Sequence, residues 1–317
     1  MGKANKWIYL MLAAVVASWG LNVVGVKYMT EMAPAFLVAA VRMPLAGLAL
    51  LPFMLQRFGW YRPNPRQWLL LVLIGLISVF FHQLFLATGV VTTTATNASL
   101  ILGLNPLMTA LLAAVFIGEK MSLRLLFGIA AGFTGVVIVV LSGAAEATLA
   151  ATGIGDLIMF LSMLAYVVGG LLIKTLSGTN MPTLVITTYS TFIGGIMLNI
   201  GAFAKYGANA YGELHFNGTA WAVMLLSAWI ASSLGTLGWN YAIKTIGANK
   251  TAMFINGMPF ASMIGAVLFL GEHVRTVHIL AFLLTTLGII IGTSPAKDKA
   301  LPRPTSEPKR FGRSPQK

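Results

Sequence analysis

LNPLMTALLAAVFIGEKMSLRLLFGIAAGFTGVVIVVL, from Leu104 to Leu141, decides how this chain is read, because its pattern occurs twice. The second copy is GMPFASMIGAVLFLGEHVRTVHILAFLLTTLGIIIG, from Gly257 to Gly292. Pro106 matches Pro259, Gly118 matches Gly271, Glu119 matches Glu272 and Gly135 matches Gly288, all at one offset of 153 positions. Proline lacks an amide donor and clashes with the preceding turn, so both apolar helices are expected to break at the same place. Interruptions at corresponding positions of two halves point to a binding region where the halves meet.

Outward from these two stretches, apolar runs recur along the whole chain. The 317 residues are 57% hydrophobic and 9% charged, against about 25% charged in an ordinary soluble domain. Runs of about 20 apolar residues are long enough to cross about 30 Å of hydrocarbon. Ten spans follow: Trp7–Met29, Ala35–Leu55, Gln67–Thr88, Thr93–Ile117, Leu123–Leu141, Ile154–Thr175, Pro182–Phe203, Thr219–Ile243, Asn249–Leu270 and Val274–Thr293. The apolar run from Trp7 exceeds a signal-peptide core and contains Asn22, so it reads as a retained first helix.

The net charge of +13 does not mark a nucleic-acid binder. Seven of the 21 basic residues fall after Ser294 and most others in short loops, so no basic stripe forms on a folded face. They read instead as topology signals. With the N-terminus in the cytoplasm, 17 of the 21 lie on the inner side, and only Lys27, Lys205 and Arg275 on the outer. Both termini are therefore expected to be cytoplasmic. Cysteine is absent, which excludes disulfides, thiolate nucleophiles and cysteine–zinc sites.

The repeat extends to the first helices of each half at an offset of 147: Trp19 matches Tyr166, Lys27 matches Lys174 and Arg42 matches Tyr189. Each half holds five spans, an odd number, so the halves are expected to enter the membrane in opposite orientations. The expected fold is all-α: a polytopic membrane protein of ten transmembrane helices, built as two inverted five-helix repeats.

An ordered set of segments carries a family resemblance. It comprises SWGLN at Ser18–Asn22, with Lys27 beyond it, and AAVRMPLAGLAL around Arg42. ATNASLILGLNPLMTALLAAVFIGE up to Glu119, its shorter echo ending at Glu272, and the glycine-bearing run Gly128–Gly135 complete the set. The chain resembles ten-helix, EamA-type members of the drug/metabolite transporter superfamily over about residues 7–293. The second half departs by having Tyr166 for Trp19 and Met258 for Asn105. The resemblance implies a small-metabolite exporter of a bacterial inner membrane, in a family that includes carriers of amino acids, sugars and nucleotide-linked compounds. The implied organisation is a cytoplasmic N-terminus 1–6, a first EamA-like repeat 7–141, a linker 142–153, a second repeat 154–293 and a disordered basic cytoplasmic tail 294–317.

Polar residues within spans supply the candidate substrate-binding set: Trp19, Asn22, Arg42, His82, Gln83, Asn97, Tyr166, Trp239, Asn240 and Asn256. Ser18, Trp19 and Asn22 share a face of the first helix, while Ser232, Thr236 and Asn240 form a stripe on the eighth. Amides and indoles suit a ligand with polar and apolar surface, although helix–helix hydrogen bonds are the alternative use. Arg42 is the one strong charge well inside a span: either a carboxylate anchor, or a clamp on backbone carbonyls near Pro44, or a snorkelling side chain. Pro106, Pro259, Glu119 and Glu272 are the helix-break and gate candidates. Each glutamate ends a helix, where the dipole disfavours an anion, so donors at the start of the next helix are the expected partner.

His82 is the one histidine well inside a span and serves either as a proton carrier or as a hydrogen-bonded structural residue. Coupling by facilitated diffusion, exchange or proton antiport stays open. The four histidines lack ligand spacing, so no metal and no cofactor are expected. A small-molecule substrate and the lipid bilayer are the expected partners, with a monomer preferred to a homodimer and no role for nucleic acid. A membrane-embedded enzyme and a passive solute channel are the alternatives to a secondary transporter. No paired mid-membrane carboxylates or phosphate-binding loop support the enzyme.

Overall fold

The computed structural model describes residues 3–117, 123–144, 149–207, 209–247, 251 and 253–293. Glu119 and the tail 294–317 lie outside the described residues, as do parts of the first repeat's boundary segments. Ten apolar helical spans follow one another: α1 (Lys3–Thr30), α2 (Ala35–Phe58), α3 (Pro65–Gly89), α4 (Ala95–Leu102 then Asn105–Ile117), α5 (Leu123–Ala144), α6 (Leu149–Ser177), α7 (Thr183–Tyr206), α8 (Gly218–Ile246), α9 (a 3₁₀ turn Met253–Gly257 then Met258–Leu270) and α10 (Thr276–Thr293). Eight are long and apolar enough to cross a bilayer, and α5 and α10 carry the shorter apolar stretches Leu126–Gly135 and Thr276–Gly288. Large apolar side chains crowd the outside, with Phe53, Phe116, Phe127 and Phe269 all mostly exposed. Such a surface suits hydrocarbon rather than water.

Local signals set the helix ends. Asn64 and Gln67 form a reciprocal capping box at the start of α3, with Pro65 in its first turn. Asn217 accepts the Ala220 amide at the start of α8 at 2.8 Å. Gly59 and Gly207 close α2 and α7 at φ 60° and 76°, a region where a side chain is strained.

The halves are inverted. α2 and α7 are repeat equivalents, and they run antiparallel: Phe36 meets Gly201, Pro44 meets Gly195 and Gly47 meets Phe192. Partners rise on one helix as they fall on the other. α5 and α10 behave likewise. A Cβ on Gly135 would stand 2.9 Å from the Ala281 carbonyl oxygen, and one on Gly288 would stand 2.6 Å from that of Gly128. Gly128 and Ala281 are themselves equivalent at the 153 offset, so this contact is its own image under exchange of the halves. Other contacts obey the same exchange: α1 on α9 is matched by α6 on α4, and α3 on α6 by α8 on α1. A pseudo-twofold axis between five-helix halves accounts for these contacts.

Candidate functional site

Two pairs of equivalent helices are irregular, and their irregular parts converge. In α4 the chain leaves helix at Gly103–Leu104 and resumes at Asn105, with Pro106 in the new first turn. In α9 the turn Met253–Gly257 precedes Met258, with Pro259 in the corresponding place. Each proline frees the carbonyl four residues back, at Leu102 and Ile255. In α3 and α8 the irregularity is a π segment, Gly75–Phe81 and Ser227–Gly235, again at equivalent positions. Such segments recur at functional sites because they turn a face of the helix out of its ordinary register.

A cavity of about 60 Å³, room for a few waters, lies among these four helices with α1 and α6. Leu102, Asn105, Ile255 and Met258 line it from the two breaks. His82, Gln83, Ser232 and Thr236 line it from the helices carrying π segments, and Trp19, Asn22 and Tyr166 from α1 and α6. Trp19 and Tyr166, equivalent residues of the two halves, touch edge to face at 5.7 Å. Equivalent residues meet only near the axis that relates them, so the chamber sits on that axis. A smaller pocket adjoins it through Asn105 and Tyr166 and is walled by Thr109, Gly170, Leu171, Trp239 and Ile243.

Of the ten sequence-derived candidates, Trp19, Asn22, His82, Gln83 and Tyr166 line the cavity, and Trp239 lines the adjoining pocket. Trp239 packs on Trp19 at 4.9 Å, while the Trp19 indole N–H donates to the Ala231 carbonyl at 2.9 Å. His82 Nδ1 lies 3.0 Å from the Ser162 carbonyl oxygen, and its ring stands 4.9 Å from that of Tyr166. Asn240 stands outside both pockets and donates to Thr187 Oγ1 at 2.9 Å. Asn97 and Asn256 also stand outside, each with a buried side-chain oxygen that lacks a partner.

Arg42 is fully buried behind the cavity wall. It donates to Asn22 Oδ1 at 3.3 Å, to Ser227 Oγ at 3.2 Å and to Gln83 Oε1. Its acceptors are side chains of α1, α3 and α8, not the backbone carbonyls near Pro44, and full burial excludes snorkelling. None of these acceptors is an anion. Ser227 and Ser162, which hold Arg42 and His82, are partners of the candidate residues that the sequence reading missed. The stripe Ser232, Thr236, Asn240 extends back to Ser227 by a five-residue step, which only a π turn brings onto one face.

The face carrying the α3–α4 and α9–α10 connections is tied across the halves. Glu272 accepts from the Ala95 amide at 2.8 Å, the Thr96 amide at 3.3 Å and the Thr96 hydroxyl at 2.9 Å. Its partner is thus the start of α4 in the other half, not the start of the next helix: the αL turn at Gly271 carries the side chain back across the interface. Lys27 Nζ donates to the Thr93 carbonyl at 2.5 Å, and the Thr93 hydroxyl donates to Asp156 Oδ1 at 2.5 Å. Glu272→Ala removes the acceptor of three hydrogen bonds. A loss of about 2–3 kcal/mol is expected, read as a lowered Tm, together with faster labelling of a cysteine placed at Ala95. An unchanged Tm and unchanged labelling rate mean that this tie does not hold the face closed.

A membrane transporter built from inverted repeats, with a chamber of mixed polar and apolar lining where broken helices meet, is the class these features define. The chain belongs to the EamA-like transporter family, whose model matches residues 6–141 and 153–293. It is 29% identical to the uncharacterized transporter YyaM of Bacillus subtilis (strain 168) over 288 residues, 89% of this chain and 92% of that one. An uncharacterized transporter of Archaeoglobus fulgidus is 26% identical over 92% of this chain and 98% of its own. A probable terminal-alkyne amino-acid exporter of Streptantibioticus cattleyicolor is 26% identical over 68% of this chain and 69% of its own. A protein of known crystal structure shares the fold at a TM-score of 0.67 and 17% identity, over 91% of this chain and 96% of that one. The family is one of transporters rather than enzymes.

Proposed function

We propose that this chain is a secondary transporter that exports a small organic metabolite, an amino acid or a related compound, across a bacterial inner membrane by alternating access. The observation that carries this reading is the chamber of mixed polar and apolar lining on the axis between inverted halves. Inverted halves adopt each other's conformations, which opens the chamber to either face in turn at similar energy. At about 60 Å³ the chamber must widen to admit a metabolite, and movement of one half against the other supplies that widening. The tied face is the outer one by the charge bias, both termini are cytoplasmic, and the working unit is the monomer. The amino-acid class draws support from the exporter relative.

Counterflow in proteoliposomes tests the reading. Vesicles loaded with an excess of a neutral amino acid are expected to accumulate labelled solute transiently and saturably. A pore conducts without saturation or counterflow, and an enzyme returns a chemically altered product. Trp19→Ala removes the indole that packs on Tyr166 and Trp239. It is expected to lower kcat/KM at least about tenfold, with protein still in the membrane. Unchanged uptake kinetics exclude Trp19 from the site.

A further inference from the structure

We infer that the solute is recognised through a carboxylate, received by the amide nitrogens of Asn22 and Gln83, which Arg42 turns toward the cavity; this deepens the transport reading above and rests on it. A guanidinium carries only donors. Both amides facing Arg42 must therefore offer it their oxygens, and the hydrogen bonds to Asn22 Oδ1 and Gln83 Oε1 have that sense. The NH₂ end of each amide is then directed away from the arginine. Both residues line the cavity, and neither amide nitrogen has a protein partner among the described residues. Ser227 is oriented by the same charge: it accepts from Arg42 and donates to Asn22 Oδ1. One wall of the chamber is thus a pair of vacant donors backed by a whole positive charge.

The missing partner is an anion. Arg42 has three neutral acceptors, and its Nε has none. Among the described residues, no acidic side chain lines the cavity. Asp156 is engaged by Thr93, and Glu272 by the start of α4. A buried cation without a counter-ion is costly, and a bound monoanion removes that cost. Two amide nitrogens match the two oxygens of a carboxylate, and one arginine balances its single charge, whereas a phosphate dianion leaves an excess. The remaining wall, with Trp19, Tyr166, Val23, Leu86 and Met258, suits an apolar or aromatic tail.

Two consequences follow. Because none of the described residues lining the chamber is a carboxylate that could hold an ammonium, the amino group is dispensable, and 2-oxo and 2-hydroxy acids bind as amino acids do. The solute also lies with fixed polarity, since the second half places Tyr189 where the first has Arg42, and that tyrosine is spent on the Tyr61 carbonyl.

The test uses the full chain in proteoliposomes and two matched series, built on leucine and on phenylalanine. Each comprises the amino acid, its 2-oxo acid, its carboxamide, its decarboxylated amine and a phosphate monoester of similar size. Both acids are expected to drive counterflow, with the amide, amine and phosphate at least about tenfold weaker. Gln83→Met, checked for an intact Tm, is expected to erase the preference for acid over amide. Amides, amines or phosphates that compete as well as the acids overturn the carboxylate inference, as does a Gln83→Met protein that keeps the preference. Saturable counterflow in either case leaves the transport reading standing. Absence of saturable counterflow for every member sinks the transport reading itself, and the inference with it.

Discussion

Gly288→Leu is expected to drive α5 and α10 apart and to cost about 3 kcal/mol or more, at the upper end of what overpacking does. The reason is that backbone meets backbone there. A Cβ on Gly288 stands 2.6 Å from the Gly128 carbonyl oxygen and 2.9 Å from the Gly132 amide nitrogen. No flexible side chain can turn aside, so the helices themselves must separate. In hydrocarbon the loss is one of close packing rather than of the hydrophobic effect, because lipid tails are as apolar as leucine; small residues matter at such interfaces for that reason. The repeat supplies an internal replicate. Gly135→Leu meets the Ala281 carbonyl oxygen at 2.9 Å and the Thr285 hydroxyl at 2.8 Å, and is expected to do the same damage. Gly218→Ala, where nothing lies within 4 Å, is the control. Thermal unfolding in detergent, followed by size exclusion, reads the difference. Coincident unfolding of all three variants removes the α5–α10 contact from the forces that hold the bundle.

These glycines, and the inversion they reveal, were legible in the sequence because a repeat preserves offsets. The 153-position match placed Pro106 with Pro259 and Gly135 with Gly288, and the odd number of spans per half dictated opposed orientations. Apolar run length located every span to within a few residues, since ten-helix periodicity in a membrane leaves little else for the chain to do. The site was only partly legible, for a physical reason. Assigning residues to a helix face assumes 3.6 residues per turn, and the π segments of α3 and α8 break that assumption where the chamber is built. Ser227 therefore went unnoticed, and Asn240, one step further along the same stripe, lies past the chamber on Thr187. The Glu272 contact was misplaced in a different way. Its need for N-terminal donors was readable from the helix dipole, but which helix supplies them depends on how the halves dock, and a linear sequence does not state that.

Arg42→Met is expected to abolish transport, by at least about a hundredfold in kcat/KM, while leaving stability unchanged or raised. The two directions separate the readings of this residue. A structural clamp that loses its donors destabilises the fold, because its acceptors are left buried and unpaired. Here the acceptors have other recourse. The Ser227 hydroxyl keeps its bond to Asn22 Oδ1, and Asn22 and Gln83 line a chamber with room for water. What the substitution removes is a fully buried charge with no anion among its hydrogen-bond acceptors, and replacing buried charge by an apolar side chain of similar volume is often neutral or stabilising by about 1–4 kcal/mol. On the carboxylate proposal Arg42 is retained against stability, and the gain lies in a state that includes the solute. Tm and counterflow measured on one preparation decide the matter. A Tm lowered in step with lost transport returns Arg42 to the role of a clamp. A held or higher Tm with no counterflow identifies a charge kept for the ligand, in a bundle whose resting state is strained by the wait for it.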